Sequence, residues 1–480
     1  MASKPILFAL LVTVFATTQL RAQNQPLTKL PDTPAGRQFQ KFLEAIESGD
    51  HREHITSSFN QQFLEAFPLS DHIDFFRQVS TIHGGFTPYA IETASEYEIV
   101  VLAKSKKRDA WRRLDMSVEP EPPHKVAGLG IDMADPPAGA TQPVRKMSEA
   151  EIIAFAGDEL RKMARDDTFS GAVLIAKDGR PLFREAFGLA SKEFDVPNRA
   201  DTRFNIGSIN KSFTEMAIAQ LLEKELIGLD DPIGKHLSGL PPDIATSVTI
   251  RHLLTMRSGM GSYWNEEWQA RWATIKTIDD LMEIIKKIPL DFEPGTGKQY
   301  SNSGFVVLGA VVEAVTGRGY CDYVRDSIFS PIGMNSTDSY ELDQIVPNLA
   351  VGYTYNRSEN PYAGNKRQNN LFIHAVKDSP AGGGYSTLDD LNLYVEALKS
   401  NALAGERYTN IVLDHYQNAD NPDRRPVVFG NAGGAPVGIN AVIEADLKSG
   451  YTVIVLSNYD PPVAEEFGSR LFKLLRNMTN

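Results

Sequence analysis

One cysteine, Cys321, stands in 480 residues. Intramolecular disulfides and cysteine-ligated metal sites are thereby excluded. No run of lysine or arginine argues for a nucleic-acid partner, and 49 basic against 61 acidic side chains leave a net charge of −12. That balance lacks the basic footprint of a nucleic-acid binder. Beyond the N-terminal stretch, no apolar run approaches the roughly 20 residues that a membrane-spanning helix needs. G-x-S-x-G is absent, which removes the nucleophile elbow of one large hydrolase class. H-E-x-x-H is absent as well, so helical zinc hydrolysis lacks its ligands. What remains is ordinary soluble composition, 42% hydrophobic and 23% charged, in a chain long enough for two or three domains.

The N-terminus reads MASKPILFALLVTVFATTQLRAQNQ. Lys4 supplies a positive end, Ile6 to Ala16 an apolar stretch, and Ala22 a small residue before a polar run. This pattern predicts a secretory signal peptide over residues 1–22. The chain is therefore expected to be periplasmic or secreted, of bacterial origin, and without a stable membrane span after cleavage.

Three further segments follow. Residues 30–133 place helical stretches (TPAGRQFQKFLEAIESGD, SSFNQQFLEAF and SDHIDFFRQVS) before four alternating ones (GFTPYAIETA, YEIVVLAKS, AWRRLDMSVEP and KVAGLGIDM). Ser70 is the expected N-cap of the third helix. Helices followed by antiparallel strands predict a small α+β domain, which resembles the NTF2-like fold. His51 and His54 could share a metal by spacing, but at a helix start they read as solvated side chains. Residues 134–145, rich in Pro, Gly and Ala, read as a linker. Residues 146–480 open with a helix and a hairpin around Asp178-Gly179. They end with two strands and a helix, so a single sheet is completed late by its C-terminal strands.

Within that last segment, FNIGSINKSFTEMAIAQLLEKEL holds Ser208 and Lys211 one helical turn apart. Residues three apart share a helix face. A lysine with a depressed pKa can activate a serine, and a helix N-terminus can hold an oxyanion. Spacing alone carries little, since a chain of this composition should hold about two S-x-x-K matches by chance. A Y-x-N partner adds information, because a phenol near an ammonium can move protons. Four matches occur, at Tyr263, Tyr300, Tyr408 and Tyr416. Tyr300-Ser301-Asn302 alone sits between a turn-forming stretch, FEPGTGKQ, and a helical run, SGFVVLGAVVEAVTG. His252 in TIRHLLTM reads as structural.

These pieces, together with KDGRPLFREAFG, ELIGLDDPIGKHL, SPIGMNST, SPAGGGYSTLDDL and GYTVIVLSNYD, resemble the serine β-lactamase and penicillin-binding-protein superfamily in its class C-like branch. The resemblance covers residues 169–460. It implies an α+β fold, an antiparallel sheet flanked by helices with a mainly helical subdomain. It also implies Ser208 as acylated nucleophile, Lys211 as its proton-shuttling neighbour and Tyr300 as general base. Asn302 would orient Lys211 and substrate. No metal or cofactor is expected. The implied substrate is a small-molecule or peptide-like ester or amide, including D-amino-acid amides.

The branch's third motif carries Lys or His on an edge strand. The matching stretch here is FGNAGGAPVGINA, with Asn431 at that position and Gly433 and Gly434 retained. The Gly434 N–H would join that of Ser208 as an oxyanion donor. Val437 reads as an inserted residue, and Leu403 to Val428 as shortened, without the glycine- and aromatic-rich strand of relatives. Asparagine donates hydrogen bonds without charge. An esterase or D-amino-acid-type peptidase or amidase is the expected function, with a catalytically impaired binding or scaffold protein as the alternative.

Overall fold

The computed structural model describes residues 27–478 except 28, 66–68, 108–109, 135, 138–145, 356–366 and 417–422. The signal-peptide residues and most of the linker lie outside that set. The chain divides into two compact units between Arg145 and Lys146.

In the N-terminal unit, α1 (Pro34–Ser48) starts at Thr33, whose hydroxyl accepts the Gly36 N–H at 3.1 Å. It stops at Gly49, held at φ 81°, a left-handed turn that glycine adopts without Cβ strain. Helices α2 (His51–Ser58), α3 (Gln61–Glu65) and α4 (Leu69–His83) follow. The stretch expected as one helix after Ser57 is broken because the Asn60 side chain accepts the Phe63 N–H at 2.8 Å and so caps α3. Helix α4 begins at Leu69, so Ser70 lies inside it and is not its N-cap. Four antiparallel strands come next: β1 (Phe86–Ala94), β2 (Glu98–Ser105), β3 (Trp111–Val118) and β4 (Val126–Ala134). Alternation along β3 puts Leu114, Met116 and Val118 into one core with Phe39, Phe42 and Ile46 of α1.

The two histidines of α2 are not solvated. His51 is 6% and His54 8% exposed. His54 packs edge-on against Phe59, with centroids 5.8 Å apart, and both rings lie beside Phe76. The aromatic face of α4 covers the helix start that looked open in sequence. Among the described residues, no group of three His, Cys, Asp or Glu side chains is arranged to hold a metal.

The C-terminal unit opens with α5 (Glu149–Arg165), closed at its start by a capping box between Ser148 and Glu151. Its sheet has the order β7-β8-β9-β5-β6, every pair antiparallel. The hairpin β5 (Gly171–Lys177) and β6 (Arg180–Phe187) is joined by β7 (Val428–Ala435), β8 (Ile439–Asp446) and β9 (Tyr451–Ser457). The late closure expected from sequence is therefore present. Period-two alternation divides the sheet's faces. Val173, Ile175, Val453 and Val455 meet α5 and the C-terminal helix Val463–Arg476. Ala172, Leu174, Ile454 and Leu456 meet the interior around α6 (Asn210–Glu223). Helix α6 is buried from Asn210 to Leu222 on every side. Around it lie α7 (Asn302–Thr316), α8 (Leu388–Ser400) and α9 (Glu406–Leu413). Among the described residues, no single helix is long and apolar enough to cross a membrane.

Burial holds His54 down to about 4, helped by the nearby Lys41 and His51 charges, and burial also lowers His51. Unfolded histidine titrates near 6.5. The unfolded chain therefore binds more protons between about 6.5 and 4, and the N-terminal unit loses stability as pH falls through that window. Hydrogen exchange of β1–β4 amides, corrected for intrinsic rates, should speed up at pH 5 relative to pH 7.5. His54→Leu should blunt the difference; identical pH dependence in both proteins would refute the assignment.

Candidate active site

Two helix starts build the site. Ser208 lies in a single 3₁₀ turn, Gly207–Ile209, that runs directly into α6. Tyr300 and Asn302 flank Ser301, the N-cap of α7, whose hydroxyl accepts the Gly304 N–H at 3.0 Å. The cap fixes the backbone on both sides, so the phenol and the carboxamide project from one rigid corner. Tyr300 is 52% exposed, whereas Lys211 is fully enclosed.

Lys211 Nζ lies 3.1 Å from Ser208 Oγ and 2.6 Å from Asn302 Oδ1. It also donates to the Ala381 carbonyl. Tyr300 OH lies 2.7 Å from Ser208 Oγ. Burial pushes Lys211 down to about 7, and the Glu215 charge one turn along α6 acts in the opposite direction. Burial raises the Tyr300 phenol, while its hydrogen bond to Ser208 works against that rise. A neutral amine has two N–H groups and one lone pair. Asn302 and Ala381 take the two donors, which leaves the lone pair for the Ser208 proton. With Lys211 neutral, Tyr300 donates to Ser208 and Ser208 to Lys211; as the ammonium, Lys211 donates to Ser208 instead.

The opposite wall is β7. Gly433 sits so close to the serine turn that a Cβ there would lie 2.0 Å from the Ile206 carbonyl oxygen and 2.6 Å from Ser208 N. Gly207, at φ 50°, meets the same strand, and a Cβ on it would lie 2.8 Å from Gly434 N. Mutual glycine contact thus brings the Gly433–Gly434 backbone against the serine turn. Asn431 is 4% exposed. Among the described residues its Nδ2 reaches the Ile209 carbonyl alone, at 3.5 Å, and its Oδ1 has no partner. Asn431 is therefore directed at the serine turn and makes no hydrogen bond to Tyr300.

Val437, which reads as inserted in the sequence, falls in the β7–β8 turn, and the strand register is continuous, with Asn431 opposite Ile443 and Gly434 opposite Asn440. The turn is tied by Asn370 Nδ2 to the Val437 carbonyl and by Gly438 N to Asp460. No strand is described between α9 and β7, so β7 forms the sheet's edge. Tyr416 lies there instead, edge-on to Tyr300 with centroids 6.0 Å apart. Its Y-x-N match had no helical frame in sequence, and nothing local announced that it would reach the site. The Ala381 carbonyl was equally silent, although SPAGGGY marked the segment. His252 caps the short helix Ile250–Leu254, its Nδ1 accepting the Thr249 N–H at 3.3 Å. Tyr263 is buried.

The family described as Beta-lactamase matches residues 155–476. The chain is 34% identical over 201 residues to a penicillin-binding protein of Bacillus subtilis (strain 168), covering 40% of this chain and 44% of that protein. It is 37% identical over 186 residues to the esterase EstB of Burkholderia gladioli, covering 35% and 47% respectively. The chain thus spans about half the length of these curated relatives. The crystal structure of a penicillin-binding protein from Bacillus halodurans is similar at a TM-score of 0.58 and 27% identity, covering 66% of this chain and 98% of that one.

Gly433→Ala should push β7 off the serine turn. We expect a Tm lower by several degrees and loss of Ser208 reactivity toward a fluorophosphonate. Gly430→Ala, where a Cβ meets nothing within 4 Å, should change neither. Equal behaviour of the two variants would show that the close approach is dispensable.

Proposed function

The chain belongs to the beta-lactamase family, and from that premise we propose that it is a serine hydrolase working through an acyl-enzyme on Ser208. The observation that carries this reading is the placement of Ser208 Oγ between Lys211 Nζ at 3.1 Å and Tyr300 OH at 2.7 Å. Ser208 Oγ attacks the substrate carbonyl carbon as its proton passes to Lys211, which here takes the base role that the resemblance implied for Tyr300, because burial raises the phenol and lowers the amine. The Ser208 and Gly434 N–H groups take the oxyanion. Collapse breaks the ester or amide bond, and the leaving group takes a proton from Tyr300, which Lys211 replenishes. Water, deprotonated along the same path, then releases the acid. Asn302 holds Lys211 in line throughout.

The substrate class we propose is an ester or a D-amino-acid-type amide. Asn431 carries no charge to pair with a substrate carboxylate, which disfavours carboxylate-bearing antibiotics. The relatives support the class, since one is named an esterase. For residues 30–133 we propose an NTF2-like module, supported by the order of helices before a four-stranded sheet. Export to the periplasm or medium is proposed from the pattern of residues 1–22.

A fluorophosphonate probe should label wild type and not Ser208→Ala. Tyr300→Phe should lower kcat on p-nitrophenyl butyrate by about 10²–10⁴. Lys211 must be neutral to accept the proton, so kcat/KM should rise with pH through about 7 and then level off. An unlabelled, inactive wild type would overturn the hydrolase reading in favour of a binding protein that retains the fold.

A further inference from the structure

We propose that Glu215 and His415 are positioning residues for the reaction at Ser208, a buried acid–base pair that governs proton occupancy on Lys211 and Tyr300 and seats Tyr416 against Tyr300. This inference rests on the serine-hydrolase reading above.

Glu215 follows Lys211 by one turn of α6 and is 1% exposed. A buried carboxylate needs partners, because desolvation penalises its charge. His415 supplies one, its Nδ1 lying 2.8 Å from Glu215 Oε2. Burial raises the Glu215 carboxyl, and His415, Lys211 and the Tyr416 N–H work against that rise; to the ionised carboxylate, which only accepts, the imidazole donates. The Tyr416 backbone N–H supplies a second. The His415 ring lies 3.5 Å from the Tyr416 ring centroid to centroid, and Tyr416 stands edge-on to both Tyr300 and Phe305. Tyr416 takes φ 64°, a left-handed conformation that a side-chain-bearing residue holds only where its surroundings impose it. Glu215 and His415 are those surroundings.

Charge gives the pair its second role. The lysine must hold a proton between taking it from Ser208 and passing it on. Burial alone would make that ammonium too costly, and an anion one turn away offsets the cost. Other ionisable groups face the same space. They are Tyr300 before α7, Tyr394 on α8, Tyr263, and Tyr416 after α9, with Asp414 next to His415 and Lys298 Nζ 3.5 Å from the Tyr416 carbonyl. The Glu215–His415 bond joins α6 to the residues that follow α9. Glu215's pairing with His415 stands in the stretch between α9 and β7, whose Asn431 brings no charge.

The test is kcat/KM on p-nitrophenyl butyrate against pH for wild type, Glu215→Gln, His415→Asn and the double variant, with fluorophosphonate labelling and thermal melts of each. Removing the anion lets Lys211 and Tyr300 lose protons more easily. The acid limb of Glu215→Gln should therefore move down by about one pH unit. His415→Asn leaves the carboxylate less well stabilised, so its limb should move the same way by less, and the double variant no further than Glu215→Gln. A fall in rate at every pH with the limb unmoved would mark a purely structural role and overturn the proposal. If Glu215→Gln does not fold, His415→Asn decides by the same criterion. An unlabelled wild type would sink the hydrolase reading and this inference with it. A labelled wild type with unmoved limbs would sink this inference alone.

Discussion

Lys211 has no access to water, and much of the C-terminal unit is arranged around that fact. A lysine on a helix buried on every side must find hydrogen-bond acceptors within the protein or lose its charge. As the ammonium it finds three, and each comes from a different part of the chain: Ser208 from its own helix start, Asn302 from the start of α7, and Ala381 from the loop before α8. Those contacts tie together elements nearly 170 residues apart. Burial pushes the lysine down to about 7, where it can exchange protons.

The polar groups of α6 that are not part of this site obey the same rule. Thr214 donates to the Pro380 carbonyl, Gln220 to the Ser327 and Leu403 carbonyls, and Tyr394 OH to the Ser212 carbonyl. Each bond is modest, about 0.5–1.5 kcal/mol net, but leaving any of these groups unsatisfied would cost more. The central helix is thus held in register by polar contacts, while Phe213, Met216, Ala217 and Leu221 bury its apolar bulk. Glycine does complementary work on the other wall. Without side chains at Gly207 and Gly433, the backbone of β7 can press against the serine turn and turn main-chain amides into a site.

Much of the C-terminal architecture was legible in sequence. The Asp178-Gly179 turn between alternating strands marked the hairpin, and GYTVIVLSNYD marked a strand that joins it. Ser208, Lys211, Tyr300 and Asn302 do converge, although spacing alone could not separate Tyr300 from three other Y-x-N matches. The Ser301 cap is what orders Tyr300, and it reads locally. Less legible were features whose meaning depends on a distant neighbour. His51 and His54 look like an exposed pair until α4 covers them. Ser70 reads as a cap, yet α4 starts one residue earlier. Glu215 and His415 are 200 residues apart and nothing in either local pattern refers to the other.

Local chemistry is written in the sequence by itself: which turns need glycine, which helix starts have caps, which faces are apolar, and which serine has a lysine one turn away. Those are interactions over a few residues, set by backbone geometry and periodicity. Tertiary structure alone decided which groups lose water and which charges meet. Lys211 titrates near 7 because the surrounding helices exclude solvent, and Tyr416 reaches Tyr300 because a buried carboxylate on α6 holds it there. Desolvation and Coulomb interaction act through space, so no stretch of sequence contains them.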